Sequence, residues 1–169
     1  SANDIRASGC QALCRALLRP GSPLRTLQLH SNWISEEGLT AVAEGLSHGL
    51  EHLTLAGNRL RKEGAGKIAD VMEMKASLEM GYTPTLLSLD VGLNELGDQG
   101  VKEVSRVMRL CSRSLVELRL YSNSIGLDGL TVSPTRSTPR STHAYDRSTC
   151  VVHACMRRGL ILTRCVNLH

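Results

Sequence analysis

Few residues of this sequence stand at spacings that would support catalysis or metal binding. His30 and His52 are predicted on neighbouring strands but four positions apart, an offset of about 13 Å at about 3.3 Å per residue. Ligands of one metal ion need bonds of about 2 Å, so these two histidines are too far apart to share one. The remaining candidates lie in the C-terminal tail and match no usual zinc spacing; they are Cys150, His153, Cys155 and Cys165. With no recognisable nucleophile–base–acid set either, we predict no metal, no cofactor and no catalytic residue.

Residues suited to protein recognition are present instead. Trp33, Arg59, Arg119 and Tyr121 are of the types that dominate binding hot spots. Only 2% of the residues are aromatic and Phe is absent, so the core must be built from many aliphatic side chains. Such a core is typical of proteins that repeat one small packing unit. We therefore expect repeats to be the elements that position these four residues.

The register of an internal repeat is set by five asparagines: Asn3, Asn32, Asn58, Asn94 and Asn123. Their spacings are 29, 26, 36 and 29 residues. An apolar residue follows each asparagine by two positions, and a glycine follows it by six. Apolar residues also precede the last four asparagines by eight, five and three positions. A register kept five times indicates a repeat protein.

Each repeat predicts a strand, a turn and a helix. Apolar residues five and three positions before the asparagine alternate with polar ones, as in a strand with one buried face. The asparagine amide can bond turn backbone groups that have no sheet partner, so stacked repeats should form an asparagine ladder. Helices are predicted over residues 37–46, 63–74 and 99–110, and in the last of these Val101, Val104, Val107 and Met108 fall on one face at helical spacing.

This pattern, LxxLxLxxNxIxxxGxxxL, resembles the ribonuclease-inhibitor-like subfamily of leucine-rich repeats. That class also occurs in NOD-like receptors and in the GTPase-activating protein of Ran. The resemblance covers residues 1–130 and implies an α/β right-handed solenoid of about four to five repeats. Its parallel strands would line the concave face and its helices the convex face, and an irregular C-terminal tail would follow.

The outward-facing strand positions of the concave face should form the binding surface. These positions vary along the chain where the buried positions are uniformly aliphatic, as expected of a surface that selects a partner. The predicted partner-binding residues are Gln28, His30, Trp33, His52, Thr54, Arg59, Ser88, Asp90, Glu95, Glu117, Arg119 and Tyr121. The same columns also contain Thr26, Ala56, Gly92 and Ser124.

Three contacts are expected within this surface. Asp90 and Arg119 fall at the same position of adjacent strands and should pair. Arg59 and Glu95 should pair in the same way, one position after the asparagines. Trp33 should lie flat against the Arg59 guanidinium.

Departures from the register define the domains. One repeat is seven residues longer than 29, and the extra stretch around residues 77–84 should lengthen its helix or form a loop at the end of it. The fifth repeat has a strand, Asn123 and Gly129, and no helix is predicted after them. We therefore predict repeats over residues 1–130, the first of them incomplete. Residues 131–149 are rich in Ser, Thr, Pro and Arg and should be a disordered linker. Residues 150–169 form a short tail outside the register, either a helix or strand over the open end or a terminus with no selected function.

The excess positive charge of the chain lies in this tail. Residues 1–130 carry 14 Lys or Arg and 15 Asp or Glu, whereas residues 131–169 carry six Arg and one Asp. The repeats therefore lack the bulk charge that attracts nucleic acid or anionic membranes. Six cysteines without a CxxC pair favour a reduced, cytoplasmic location. No apolar run approaches the about 20 residues of a membrane span.

Three functions are consistent with the sequence. The leading one is a non-catalytic scaffold that binds another protein, of unknown identity, on the concave sheet. The second, implied by the resemblance, is an activator of a small GTPase like that of Ran, with Arg59 beside Asn58 as its basic loop residue. That family carries an acidic C-terminal segment, however, and this tail is basic. The third places function in the tail, whose Arg-Ser-Thr units would bind RNA or membrane or be phosphorylated.

Overall fold

The computed structural model describes residues 3–17, 19–34, 36–130, 151–157 and 160–165. Its first four strands are short and parallel: β1 (Thr26–Gln28), β2 (His52–Thr54), β3 (Ser88–Asp90) and β4 (Glu117–Arg119). The helices are α1 (Arg6–Leu17), α2 (Glu36–Gly45), α3 (Arg61–Leu78), α4 (Gly97–Leu110) and the single turn α5 (Leu127–Leu130). A 3-10 turn over Leu46–His48 extends α2. The predicted α/β solenoid is confirmed.

The four parallel strands are aligned without slippage. Their central residues, Leu27, Leu53, Leu89 and Leu118, pair in register and are all buried. Because side chains alternate across a strand, the residues before and after each of these leucines turn towards the concave face. The flanking aliphatic residues of each repeat and the inner sides of the helices complete one continuous core.

Two helices begin two residues earlier than predicted, and backbone bonds between repeats explain their starts. Arg61, the first residue of α3, donates its N–H to the Asn94 carbonyl at 2.9 Å. Gly97, the first residue of α4, donates to the Asn123 carbonyl at the same distance. Each helix is therefore started by the asparagine of the following repeat, a contact that helical periodicity within one repeat does not reveal.

The asparagines bond from one repeat to the next through their side chains. Asn32 N–H donates to Asn58 Oδ1 at 2.9 Å, Asn58 N–H to Asn94 Oδ1 at 2.8 Å, and Asn94 N–H to Asn123 Oδ1 at 2.9 Å. Asn3 N–H begins the series on Asn32 Oδ1 at 3.2 Å. The side-chain amides of the last three also donate to backbone carbonyls just after the strands at 2.8–3.0 Å, for example Asn94 Nδ2 to those of Leu55 and Gly92. Asn32 through Asn123 are buried, so these bonds satisfy backbone groups that water does not reach.

The long repeat both lengthens its helix and adds a turn. α3 has 18 residues and ends where the Glu79 N–H donates to the Lys75 carbonyl. Tyr82 N–H then bonds the Glu79 carbonyl at 3.1 Å and reverses the chain towards β3. The two outcomes predicted as alternatives for residues 77–84 therefore occur together.

The fifth repeat contains the single helical turn α5, and the absence of a helix was predicted only beyond Gly129. Asp98, in the first turn of α4, accepts the Gly126 N–H at 2.6 Å and so holds the residues that lead into α5. Beyond this turn, the predicted linker over residues 131–149 lies outside the described residues. The strands β5 (Val151–Arg157) and β6 (Leu160–Cys165) pair antiparallel with each other, and β5 pairs antiparallel with β4. No repeat register predicted these two strands.

Ion pairs join the helices across the convex face. The Arg106 guanidinium of α4 donates to Asp70 at 2.8 Å and to Glu103 at 2.6 Å, and it also contacts Glu73 of α3. This cluster links α3 to α4 on the side away from the sheet. Among the described residues, no helix has both the length and the apolarity that crossing a bilayer requires.

Candidate functional site

The edge of the sheet beside the asparagines carries backbone in an unusual conformation. The residues directly after the four buried asparagines have positive φ angles; they are Trp33 (54°), Arg59 (55°), Glu95 (56°) and Ser124 (55°). A side chain there faces solvent, and the left-handed backbone costs about 1–2 kcal/mol per residue. The ladder holds this conformation in place. Asn58 Oδ1, for example, accepts the amides on either side of Trp33, from Asn32 at 2.9 Å and from Ile34 at 3.4 Å.

Trp33 is the most conspicuous side chain of this edge. Its indole is 58% exposed, although it is the largest apolar group of the chain. The Arg59 guanidinium lies 4.1 Å from the ring centroid, as predicted, and so covers one face of the ring. The rest of the ring remains exposed to solvent.

The predicted ion pair between Arg59 and Glu95 forms at its outer limit, and Glu95 is shared with a second arginine. Arg59 and Glu95 are 4.0 Å apart, the limit of an ion pair, whereas Arg61 Nε donates to Glu95 Oε2 at 3.2 Å. Arg61, like Arg59, has a positive φ, of 53°, and its guanidinium lies closer to the Glu95 carboxylate. Arg59 is therefore held mainly by Trp33, and Arg61 is an edge residue that the sequence columns did not include.

The residues predicted to face outward on the concave face vary in exposure more than predicted. Thr26, Gln28, His52 and Arg119 are exposed, whereas Thr54, His30, Ser88, Glu117 and Tyr121 are half-buried. Ala56 and Gly92, expected to face outward, are buried. Tyr121 causes the burial of Gly92, because a Cβ atom on this glycine would lie 2.7 Å from Tyr121 Cδ1. The tyrosine ring therefore lies across the neighbouring strand.

The predicted pairing of Asp90 with Arg119 is wrong. Arg119 Nε donates instead to Glu117 Oε1 at 2.9 Å, two residues earlier on its own strand. Glu117 also accepts the Ser88 hydroxyl at 3.1 Å, so it joins β3 to β4. Asp90 turns towards its own chain and accepts the Gly92 N–H at 3.0 Å. Glu117 and Gly92 each lie two residues away in the chain from Arg119 and Asp90. These nearby partners therefore replace the pair between the two strands.

Burial raises the pKa of the Asp90 carboxyl, and the Glu117 charge adds to the rise. The Gly92 N–H, Arg119 and His30 oppose it but leave the pKa above its ordinary value. A carboxylate whose pKa is higher in the folded than in the unfolded chain lowers stability as the pH rises through that interval. The ionised Asp90 thus costs stability at neutral pH.

Replacement of Asp90 by asparagine should therefore not destabilise the protein at pH 7. The amide oxygen keeps the bond from Gly92 while the desolvated charge disappears, so the melting temperature should equal or exceed that of the wild type. Below the ordinary pKa of Asp, about 3.9, the wild-type carboxyl is neutral and the difference should vanish. Calorimetry of both proteins at pH 7 and below about pH 3.9 measures the two melting temperatures. A D90N protein that melts several degrees lower than the wild type at pH 7 would contradict the prediction.

Histidines and cysteines do not gather into a site in the parts of the chain that the structure describes. No three of their His, Cys, Asp or Glu side chains converge to hold a metal ion. Cys10 and Cys14 are free and buried in α1 with sulfurs 4.0 Å apart, and Cys111 is free and buried after α4. Burial raises the pKa of the Cys111 thiol to about 12, so it is not a nucleophile at neutral pH.

Comparison with known proteins agrees with this geometry. The family described as Leucine Rich repeat matches residues 22–43, 47–69 and 83–105. The ribonuclease inhibitor of Mus musculus is 32% identical over 143 residues, which cover 71% of this chain and 31% of that protein. The NACHT, LRR and PYD domains-containing protein 14 of Mus musculus is 28% identical over 145 residues, with 72% and 15% covered.

The chain is a leucine-rich-repeat protein of the ribonuclease-inhibitor-like type. A third relative, the NACHT, LRR and PYD domains-containing protein 13 of Homo sapiens, is 27% identical over 75% of this chain and 14% of that protein. This leucine-rich-repeat chain thus spans less than a third of the length of each of these relatives.

A second exposed residue of this edge, besides Arg61, was missed by the sequence analysis. Leu93 directly precedes Asn94, has a φ of 55° and is 53% exposed. The equivalent residues of the other buried asparagines are Ser31, Gly57 and Ser122, all small. Leu93 could have been identified from the sequence, because it is a large apolar residue at a repeat position that otherwise holds small residues.

Proposed function

We propose that this leucine-rich-repeat chain is a non-catalytic interaction module whose protein partner binds the concave sheet and its asparagine edge. The observation that supports it most is Trp33, a large ring left 58% exposed on a backbone that the asparagine bonds hold fixed. A rigid, exposed aromatic anchor loses little conformational entropy when a partner covers it. The relative named ribonuclease inhibitor bears the name of an interaction with another protein, which agrees with this proposal.

The absence of catalysis is part of the same proposal. Polar side chains of the concave face are used in local contacts, with Glu117 held by Ser88 and Arg119. A cytoplasmic location is proposed as well. Cys10, Cys14 and Cys111 are buried as free thiols, which suits a reducing compartment.

Activation of a small GTPase remains the second proposal, but the contacts at Arg59 do not favour it. The Arg59 guanidinium is stacked on Trp33, and the amide of Asn58 is fully used in the ladder. A GTPase captured by this chain, with hydrolysis accelerated by the wild type and not by R59A, would reverse the preference.

Removal of the Trp33 ring should weaken partner capture by about 30-fold, the equivalent of about 2 kcal/mol for a central aromatic anchor. Immobilised wild type and W33A are compared by quantitative mass spectrometry of proteins retained from cell extract. K67A, on the exposed convex side of α3, is the matched control and should retain capture in full.

A partner retained equally by W33A and by wild type would contradict the proposal. A second variant of the full chain, with Arg136, Arg140 and Arg147 replaced by Gln, tests the tail. Loss of capture in that variant alone would transfer the binding function to the basic tail.

A further inference from the structure

Asp90 is a charged side chain near the centre of the concave face that is only 7% exposed. Its Oδ1 accepts the Gly92 N–H, which is the one hydrogen bond that the described residues make to this carboxylate. In the described chain, the only fully buried side-chain polar atom without a partner is the Tyr82 hydroxyl oxygen. Asp90 Oδ2 also has no hydrogen-bond donor. Since it is not one of the fully buried atoms, it remains in contact with solvent.

The neighbouring cation, Arg119, does not donate a hydrogen bond to Asp90 Oδ2. Arg119 stands opposite Asp90 in the strand register, but its Nε donates to Glu117 at 2.9 Å. The positive charge of Arg119 is thus largely balanced by Glu117. The three side chains together carry one net negative charge, which belongs to Asp90.

An aromatic ring lies close to the backbone that holds the Asp90 carboxylate. Tyr121 lies across Gly92, the residue that donates to Asp90 from two positions along the chain. The ring is half-buried, so part of it faces the concave side. The Asp90 charge also raises the pKa of the Tyr121 hydroxyl, after burial itself, which places the two groups within electrostatic reach.

We propose that Asp90 Oδ2 and the Tyr121 ring form the binding site for an arginine side chain of the partner protein. This inference rests on the proposed function and adds to it the chemistry of one contact. A guanidinium matches both groups, because its N–H donors reach a carboxylate while its planar face stacks on an aromatic ring. An ammonium group satisfies the carboxylate but lacks the planar face.

The burial of the Asp90 carboxylate should strengthen its contact with an arginine. Asp90 has already lost most of its hydration in the free protein, so a cation that binds it does not have to strip that water again. Binding should require the ionised carboxyl and be lost on acidification. Since burial raises the pKa of Asp90, with Glu117 adding to the rise and Arg119, His30 and the Gly92 N–H opposing it, the loss should begin at a higher pH than for an exposed carboxylate.

Titration of the full chain with N-acetyl-arginine methylamide, followed by amide NMR, tests the site without an identified partner. The Gly92 N–H is bonded to Asp90 and acts as the built-in reporter. We expect a saturable shift of this amide in the wild type and its loss in D90N. N-acetyl-citrulline methylamide, which has the same shape without the charge, should produce no saturable shift.

The control variant is E63Q, which removes an exposed carboxylate from α3, outside the proposed binding surface, and should leave the titration unchanged. No saturable shift at Gly92 in the wild type would overturn the inference, as would a shift that persists in D90N. Failure of the proposed function would look different from failure of the Asp90 site. In that case W33A would capture the partner as well as the wild type does, even though the titration succeeds. Capture that depends on Trp33, with no arginine titration, would sink the Asp90 site alone.

Discussion

Replacement of Asn94 by alanine is expected to destabilise the protein by about 3–5 kcal/mol, because buried groups left without partners cost about 1–3 kcal/mol each. The side chain makes four bonds: Oδ1 accepts the amides of Asn58 and Leu60, and Nδ2 donates to the carbonyls of Leu55 and Gly92. All four belong to buried backbone, but the Leu55 and Gly92 carbonyls keep other donors, Asn58 Nδ2 and the Gly57 N–H, so the loss falls mainly on the two amides. Urea denaturation followed by circular dichroism measures the loss.

The adjacent variant E95A is the matched control, since Glu95 makes only exposed ion pairs of about 0–1 kcal/mol. N94D tests the mechanism further. An ionised aspartate keeps the acceptor but confronts two carbonyl oxygens, so it should destabilise strongly at neutral pH and less at acid pH. An N94A protein as stable as E95A would show that the ladder does not support the fold.

Truncation of Leu89 to alanine should cost about 3 kcal/mol, within the range of buried Leu→Ala substitutions. Leu89 is the central residue of β3, buried between Leu53 and Leu118 of the adjacent strands. The cavity would therefore open in the middle of the core, where neither end of the solenoid can close over it. Unfolding in urea measures the change in the free energy of unfolding.

The same substitution four residues later provides the comparison. Leu93 is 53% exposed, so L93A should alter stability by no more than about 0.5 kcal/mol. Equal losses for L89A and L93A would mean that the two leucines share one environment, contrary to the observed burial.

The sequence predicted features that depend on one repeat unit. Strand alternation identified the buried column through Leu89 and Leu118, and the asparagine register predicted which turns stack. These features follow from side-chain period and turn chemistry, which are local. The stacking of Arg59 on Trp33 was predictable because both follow an asparagine by one position in adjacent repeats.

The polar contacts at the centre of the concave face and the structure after the fourth strand were harder to predict. Asp90 was assigned to Arg119 by register alone, yet Glu117 and Gly92 offered closer partners within their own strands. Strand β5 lies outside the repeat register, so periodicity contains no information about its pairing. The start of α5 depends on Asp98 of the preceding repeat, a contact that the five-asparagine alignment does not encode.

Photo-crosslinking from the two faces of the solenoid tests the binding role of the concave sheet most directly. A benzophenone amino acid is placed at His52, exposed on β2, or at Lys67, exposed on the convex side of α3. On irradiation in cells that express the chain, His52 should yield a covalent adduct with a protein partner and Lys67 should not. An adduct from Lys67 without one from His52 would contradict the concave-face proposal.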